Sequence, residues 1–163
     1  MNQKSKTVVF FGNGPVASES LKLLAKWCKI EFVVTKYKPV HHKDKAPTEE
    51  TAKELKIPLH FVNNKHDLEN LIKTIKPKSE VGIVIDFGVI ITQQTRDYFD
   101  FGIVNSHFSL LPEWRGADPI SFAILSGQKL TGVSLMTIDN GLDTGNLLSE
   151  EKLKIKNSET TDS

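Results

Sequence analysis

Short apolar runs alternate with helical patterns along most of this chain of 163 residues. Thr7–Phe11 (TVVFF), Ile30–Thr35 (IEFVVT) and Val81–Ile85 (VGIVI) are rich in β-branched residues, as strands are. The segments between these runs carry apolar residues at helical spacing and begin at proline or capping residues. Strands joined by helical crossovers usually lie parallel. The pattern therefore predicts an α/β protein with a doubly wound, mostly parallel sheet.

The remaining elements extend this pattern and then change it. We predict helices at 15–27, 48–56, 66–76 and 92–99, a helix after Asp118-Pro119 that runs to Leu125, and further strands at 57–62 and 101–105. Thr131–Ile138 (TGVSLMTI) and Asn146–Ile155 (NLLSEEKLKI) alternate as half-buried strands do. Because Asp139–Gly145 between them is rich in turn residues, we predict a C-terminal antiparallel hairpin.

Composition limits the partners that the whole surface can attract. The formal net charge of +1 predicts no general attraction to polyanions, so a nucleic-acid contact would need a local patch. One such patch follows the second strand, where four lysines stand against Asp44 and give a formal local charge of +3. These lysines are Lys36, Lys38, Lys43 and Lys45. They contact phosphates or simply form a solvated loop.

The chain has the features of a soluble protein. Cys28 is its only cysteine, which excludes an intrachain disulfide and fits a reducing compartment. The longest apolar stretch, Val81–Ile91, is interrupted by Asp86 and is too short to span a bilayer. No apolar signal core precedes the first strand. We expect one cytoplasmic domain without membrane contact.

Three loops are expected at the carboxyl ends of strands, where sheets of this kind bind ligands. The first, Gly12-Asn13-Gly14-Pro15, lacks the third glycine of a dinucleotide fingerprint, and its glycines either contact a ligand or only allow the turn. The third, Asp139–Gly145, offers carboxylates among glycines, which also suits a plain hairpin turn. It lacks the alternating ligands of a calcium loop.

The second loop, Asn105–Gly116, carries residues suited to acyl transfer. Asn105 and His107 are two residues apart, so extended backbone points both side chains to one side. An amide can donate a hydrogen bond to a developing oxyanion, while an imidazole moves a proton or stabilises charge. A structural role for the pair is the alternative.

Together these segments resemble the 10-formyltetrahydrofolate-dependent formyltransferases. Asn105–Gly116 (NSHFSLLPEWRG) is similar to the Asn-x-His-x-Ser-Leu-Leu-Pro…Arg-Gly segment of that family. Gly132–Gly145 resembles the following hairpin and the loop of the catalytic aspartate, and Val84–Ile91 (VIDFGVII) resembles the strand and loop that line the folate pocket. The resemblance implies a Rossmann-like formyltransferase fold, 10-formyltetrahydrofolate as formyl donor and no metal.

The resemblance also implies roles for individual residues. Asn105 would donate to the oxyanion, His107 would stabilise that charge or move a proton, and Asp143 would orient His107 or a water. The implied folate contacts are Asp86, Phe87, Gly88, Val89, Ile90, Ser109, Leu110, Leu111, Pro112 and Asp139. The implied acceptor contacts are Gly12, Asn13, Gly14, Pro15, Lys36, Lys38, Lys43, Lys45, Arg115 and Gly116.

Within the family, Asp139–Gly145 and Ala117-Asp118-Pro119-Ile120 resemble the methionyl-tRNA formyltransferases most. This implies a monomer that formylates initiator methionyl-tRNA for translation initiation. It also implies that residues 1–163 are a truncated catalytic domain without the family's C-terminal β-barrel. Asn13-Gly14 differs from the methionyl-tRNA formyltransferases at this loop and resembles the glycine–asparagine–glycine phosphate loop of the family's purine enzymes. A sugar-nucleotide N-formyltransferase, another formyl-folate-dependent enzyme and a non-catalytic folate-binding module remain as alternatives.

Overall fold

The computed structural model describes residues 6–37 and 46–161 of the protein. Its contacts divide the chain into two compact units, Met1–Ile103 and Val104–Ser163. No helix in the described ranges is long and apolar enough to cross a membrane.

The first unit is a parallel sheet with helical crossovers. Its strands are β1 (Thr7–Gly12), β2 (Lys29–Lys36), β3 (Leu59–Val62) and β4 (Val81–Ile85), hydrogen-bonded in the order β3-β2-β1-β4. Its helices are α1 (Pro15–Leu24), α2 (Pro47–Glu54), α3 (Lys65–Ile75) and α4 (Gln93–Arg96). Helix α1 packs against α2, and α3 packs against α4. The predicted parallel, doubly wound arrangement is confirmed.

Strand β1 forms the centre of this unit because it is apolar on both faces. Val9, Phe10 and Phe11 are consecutive and fully buried, which is typical of a strand covered on both sides. Strand β1 pairs with β2 on one edge and with β4 on the other, where Gly12 lies opposite Ile85. The loops after β1 and β4 therefore diverge at a topological switch point, the usual place for a ligand in such sheets.

The second unit is antiparallel. It carries β5 (Ile103–His107), β6 (Leu130–Thr137) and β7 (Leu147–Lys154), with α5 (Pro119–Leu125) before the hairpin that β6 and β7 form. Helix α5 begins where predicted, because the Asp118 carboxylate accepts a hydrogen bond from the Ser121 N–H. The C-terminal antiparallel hairpin is confirmed.

Several predicted boundaries were wrong by two or three residues. Strand β5 was expected at 101–105 but begins at Ile103, because Phe101 is 69% exposed and Gly102 makes a turn at φ +73°. Strand β3 begins after Pro58, which has no N–H for the ladder. Helix α1 ends at Leu24 rather than at residue 27, and α4 covers only Gln93–Arg96 of the expected 92–99.

Candidate active site

Strand β5 presents Asn105 and His107 on one side of the second unit. Both lie within the strand rather than in a loop after it, so their shared orientation follows from strand alternation. Their partners across the antiparallel ladder are Met136 and Ser134, which are buried. Asn105 is half-buried, and no hydrogen bond engages its amide within the described ranges. This amide is therefore available to a ligand.

The His107 ring lies between two acceptor oxygens. Its Nε2 atom is 2.8 Å from the carbonyl oxygen of Trp114, and its Nδ1 atom is 3.6 Å from Oδ2 of Asp143. A carbonyl oxygen can only accept, so Nε2 carries a proton. At 3.6 Å the Asp143 carboxylate is at ion-pair distance from the ring and makes no direct hydrogen bond to it. Since the His107 side chain is 6% exposed, water competes little for these contacts.

Asp143 is fixed by a backbone donor. Its Oδ2 atom accepts a hydrogen bond of 2.7 Å from the Gly116 N–H, and its side chain is 13% exposed. Both Asp143, at φ +50°, and Gly116, at φ +96°, have left-handed backbone. For a residue other than glycine this conformation is uncommon and is found where a side chain must be aimed. His107 and Asp143, which are 36 positions apart in the sequence, thus lie next to each other in the structure.

Two buried serines fasten the loop after β5. The Ser134 hydroxyl lies 2.7 Å from the carbonyl oxygen of Ser109 and accepts a hydrogen bond of 3.1 Å from the Leu111 N–H. The Ser109 hydroxyl donates to the carbonyl oxygen of Glu113. The Ser109 side chain is fully buried and is engaged inside the loop, and the folate contact expected of this residue remains a prediction. Sequence reasoning assigned no role to Ser134, whose only signal was a polar residue on an inward-facing strand position.

Trp114 supplies the carbonyl that holds His107. Its ring stacks on Phe122 with centroids 5.8 Å apart, and its Nε1–H donates to Gln128 Oε1 at 2.8 Å. These contacts fix a residue whose backbone is left-handed at φ +54°. Sequence reasoning missed this role because a carbonyl oxygen is present at every residue.

The hairpin loop gives its two aspartates different contacts. Asp139 Oδ1 accepts from the Gly141 N–H at 2.9 Å and from the Thr144 hydroxyl at 2.7 Å. This is the pattern of a turn-forming aspartate, so the hairpin-turn interpretation describes Asp139. Its folate contact remains a prediction.

In the first unit, the loop after β1 is held in place by two threonines. The Thr35 hydroxyl donates to Asn13 Oδ1 at 3.2 Å, and the Thr48 hydroxyl donates to the Gly14 carbonyl oxygen at 3.2 Å. Pro15 occupies the first position of α1, where its missing N–H costs nothing.

The loop after β4, residues 86–90, exposes alternate residues. Asp86, Gly88 and Ile90 are exposed, whereas Phe87 is 3% exposed with its ring 5.6 Å from that of Phe11. The Phe87 ring thus belongs to the core, and the folate contact expected of this residue remains a prediction. Although Asp86 is exposed as a whole residue, partial burial of its carboxyl raises the pKa of that group, and a hydrogen bond from the Gly14 N–H opposes this.

Lys36 lies against this loop. Its ammonium donates to the Gly88 carbonyl oxygen at 3.3 Å, so among the described residues its partner lies in the predicted folate loop. Lys38, Lys43 and Lys45 lie outside the described residues. Arg115 is exposed and has no hydrogen-bond or ion-pair partner in the part of the chain that the structure describes. It anchors no other segment there, and its contact with an acceptor remains a prediction.

Among residues 6–37 and 46–161, no group of three or more His, Cys, Asp or Glu side chains is placed to hold a metal ion. Within the second unit, the geometry brings together an uncommitted amide, an enclosed imidazole and a fixed carboxylate. This combination can stabilise negative charge on an oxygen next to Asn105.

Comparison with known proteins identifies the family. The sequence profile described as formyl transferase matches residues 5–163. The chain belongs to this family. It is 35% identical over 158 residues to a methionyl-tRNA formyltransferase of Prochlorococcus marinus (strain NATL2A), covering 93% of this chain and 47% of that protein. A methionyl-tRNA formyltransferase of Francisella tularensis subsp. novicida (strain U112) is 35% identical over 167 residues, covering 97% and 52%. The chain thus spans about half the length of these curated relatives.

Solved structures confirm the fold. Phosphoribosylglycinamide formyltransferase from Bacillus halodurans superposes with a TM-score of 0.78 at 24% identity, covering 96% of this chain and 84% of that chain. A formyltetrahydrofolate deformylase from Pseudomonas syringae pv. tomato superposes with a TM-score of 0.74 at 18% identity, covering 99% and 55%. At these identities the likeness shows the Rossmann-like formyltransferase fold alone.

Proposed function

We propose that this chain carries the catalytic centre for transfer of a formyl group from 10-formyltetrahydrofolate to the α-amino group of initiator methionyl-tRNA. The observation that carries the proposal is the uncommitted Asn105 amide beside the enclosed His107–Asp143 pair. The acceptor is supported by the two relatives at 35% identity, both named methionyl-tRNA formyltransferases. We also propose a monomeric, cytoplasmic protein, as the sequence predicts.

In this reaction the donor supplies an activated formyl carbon. A bond forms between the acceptor nitrogen and that carbon, and the bond from the carbon to folate N10 breaks. The proton lost by the acceptor amine ends on N10 of the released tetrahydrofolate. While negative charge is on the formyl oxygen, Asn105 donates a hydrogen bond to it. No protein group is oxidised or reduced.

The contacts of His107 favour charge stabilisation over proton transfer. The Nε2 proton is held by the Trp114 carbonyl oxygen and can leave the ring only after that hydrogen bond breaks, while Asp143 lies 3.6 Å from Nδ1. A positive charge that develops on this enclosed ring would act more strongly than one in water. Asp143 balances that charge from the opposite side of the ring.

The first prediction concerns Asn105. In the full-length protein, Asn105→Ala should lower kcat by about 10²–10³-fold, the usual loss for one oxyanion donor. Formylation of methionyl-tRNA by the purified variant is the measurement. Asn63→Ala, at an exposed asparagine before α3, is the matched control and should retain normal turnover. Normal turnover by Asn105→Ala would remove this residue from the site.

The acceptor needs its own assay. The full-length protein is given 10-formyltetrahydrofolate with either charged initiator tRNA or an amino-sugar nucleotide. We expect product only with the tRNA. Product only with the sugar nucleotide would keep the formyl-transfer centre and replace the acceptor, while product with neither would leave a non-catalytic folate-binding module.

A further inference from the structure

Asp86 lies at the switch point of the first unit, against the first turn of α1. It directly follows β4, and Gly12 at the end of β1 lies opposite Ile85 at the end of β4. Residues 13–15 and residue 86 therefore leave adjacent parallel strands at the same edge of the sheet. The Asn13 N–H donates to the Asp86 carbonyl oxygen at 3.0 Å, which joins the two loops directly.

The carboxylate of Asp86 takes the position of a side chain that Gly14 lacks. A Cβ atom added to Gly14 would lie 1.8 Å from Asp86 Oδ2. Gly14 is the N-cap of α1, the position whose side chain normally accepts hydrogen bonds from the first free N–H groups of a helix. Asp86 thus contributes a carboxylate to this helix end from a different strand.

The Asp86 backbone and the surrounding charges fit this placement. Its φ of +47° is a left-handed conformation, and its Oδ2 atom lies against Gly14 at the start of α1. Among the described residues, no basic side chain forms an ion pair with its carboxylate. The N-terminus of a helix usually attracts anions, but here a carboxylate of the protein already lies beside it.

The loop cannot readily move away from the carboxylate. Thr35 holds the Asn13 side chain, and Thr48 holds the Gly14 carbonyl. A phosphate that approached the same N–H groups would meet both the bulk and the like charge of Asp86. The glycine–asparagine–glycine turn therefore has the sequence of a phosphate loop without the free space of one.

We propose that Asp86 is a specificity-determining residue that closes the N-terminus of α1 to phosphate monoesters. This inference rests on the proposed function and deepens it, because it restricts the acceptor to amines without a phosphate monoester at this position. An aminoacyl ester on tRNA meets that condition, since no phosphate monoester is attached next to its α-amino group. An amine linked to ribose 5-phosphate would be rejected here.

The test measures binding of inorganic phosphate by residues 1–163, using the amide NMR signals of Gly14, Val16 and Ala17. Asp86→Asn keeps the size of the side chain and removes its charge, while Asp86→Gly also removes its bulk and suits the positive φ. Asp100→Asn, at an exposed aspartate before β5, is the control. We expect both Asp86 variants to bind phosphate at these amides about tenfold more tightly than the unaltered chain and the control.

Equal phosphate binding by all four proteins, or no binding by either Asp86 variant, would overturn the inference. A second experiment uses the full-length enzyme with methionyl-tRNA or phosphoribosylglycinamide as acceptor. We expect Asp86→Asn to raise turnover of phosphoribosylglycinamide relative to the unaltered enzyme. Failure of the unaltered enzyme to formylate methionyl-tRNA would instead reject the proposed function, whatever the phosphate titration shows.

Discussion

At the scale of single residues, Asp143 has two contacts that can be separated. Its Oδ2 atom both faces His107 and accepts from the Gly116 N–H. Asp143→Asn keeps an oxygen for Gly116 and removes the negative charge next to the ring, whereas Asp143→Ala removes both. We expect Asp143→Asn to lower kcat about 10²-fold while the Gly116 amide signal stays near its original position. Formylation kinetics and an amide NMR spectrum of each variant provide the measurements.

Asp143→Ala should lose as much activity and should also shift the Gly116 signal. Asp100→Asn serves as the charge control, because that aspartate is exposed. If Asp143→Asn turned over normally, the charge balance that we assign to the His107–Asp143 pair would be wrong.

Asp86 should make stability depend on pH. Burial raises its pKa in the folded protein above the ordinary value of 3.8, so the folded state holds this proton more tightly than the unfolded state. The ionised carboxylate therefore costs stability at neutral pH, and this cost disappears as pH falls below 3.8. Asp86→Asn should have a higher free energy of unfolding than the unaltered chain at pH 7 and no advantage at the acid end. Urea unfolding at a series of pH values measures this, and a constant difference across the series would contradict it.

At the scale of elements, the end of β2 is fastened to the loop after β4 through Lys36 and Gly88. Loss of a single hydrogen bond of this kind is worth about a fivefold change in an equilibrium. In the full-length enzyme, Lys36→Met should raise KM for 10-formyltetrahydrofolate about fivefold and leave kcat nearly unchanged. Steady-state kinetics at varied donor concentration is the measurement.

Lys29→Met, at the exposed start of the same strand, is the control for charge loss. The sequence predicted a phosphate contact for Lys36, and loss of that contact would change the salt dependence of tRNA binding rather than KM for the donor. If Lys36→Met left KM for the donor unchanged and flattened the salt dependence of tRNA binding, the contact with Gly88 would be incidental.

The kind of each helix and strand was predictable because apolar periodicity records which side chains are buried. Val81–Ile85 was predicted with the bounds it has, since every residue in it suits a covered strand. The start of β5 was not predicted correctly, because Phe101 is apolar but lies in an exposed turn. An apolar side chain shows only that burial is favourable, whereas the turn at Gly102 decides where the strand begins.

The candidate site was predictable to a similar degree. The spacing of Asn105 and His107 placed them on one side, and family resemblance added Asp143. The carbonyl of Trp114 could not be foreseen, since backbone groups leave no trace in the sequence. Resemblance also assigned folate contacts to every residue of a segment, although Phe87 and Ser109 point into the protein.

At the scale of the whole molecule, the two units differ in how much apolar surface they bury. The first contains almost all buried hydrophobic residues, whereas between Val104 and residue 161 only Ala123 and Met136 are buried hydrophobics. All eight residues of β7 are exposed. We expect amides of β6 and β7 to exchange with solvent roughly a hundredfold faster than those of β1 and β2, because local opening costs least where little is buried. Hydrogen exchange followed by mass spectrometry measures this, and equal protection in both units would show that they unfold together.

Because Asn105 and His107 lie within a strand paired to β6, the catalytic group is sensitive to chain length as well as to residue type. Insertion or deletion of one residue inside β5 would turn the catalytic side chains to the opposite face of the sheet. It would bring Ser106 to the side that Asn105 had occupied. The same change in the turn at 126–129 would leave β5 in register. Insertions and deletions inherited by relatives of this chain should therefore collect between the elements and be absent from the five residues of β5.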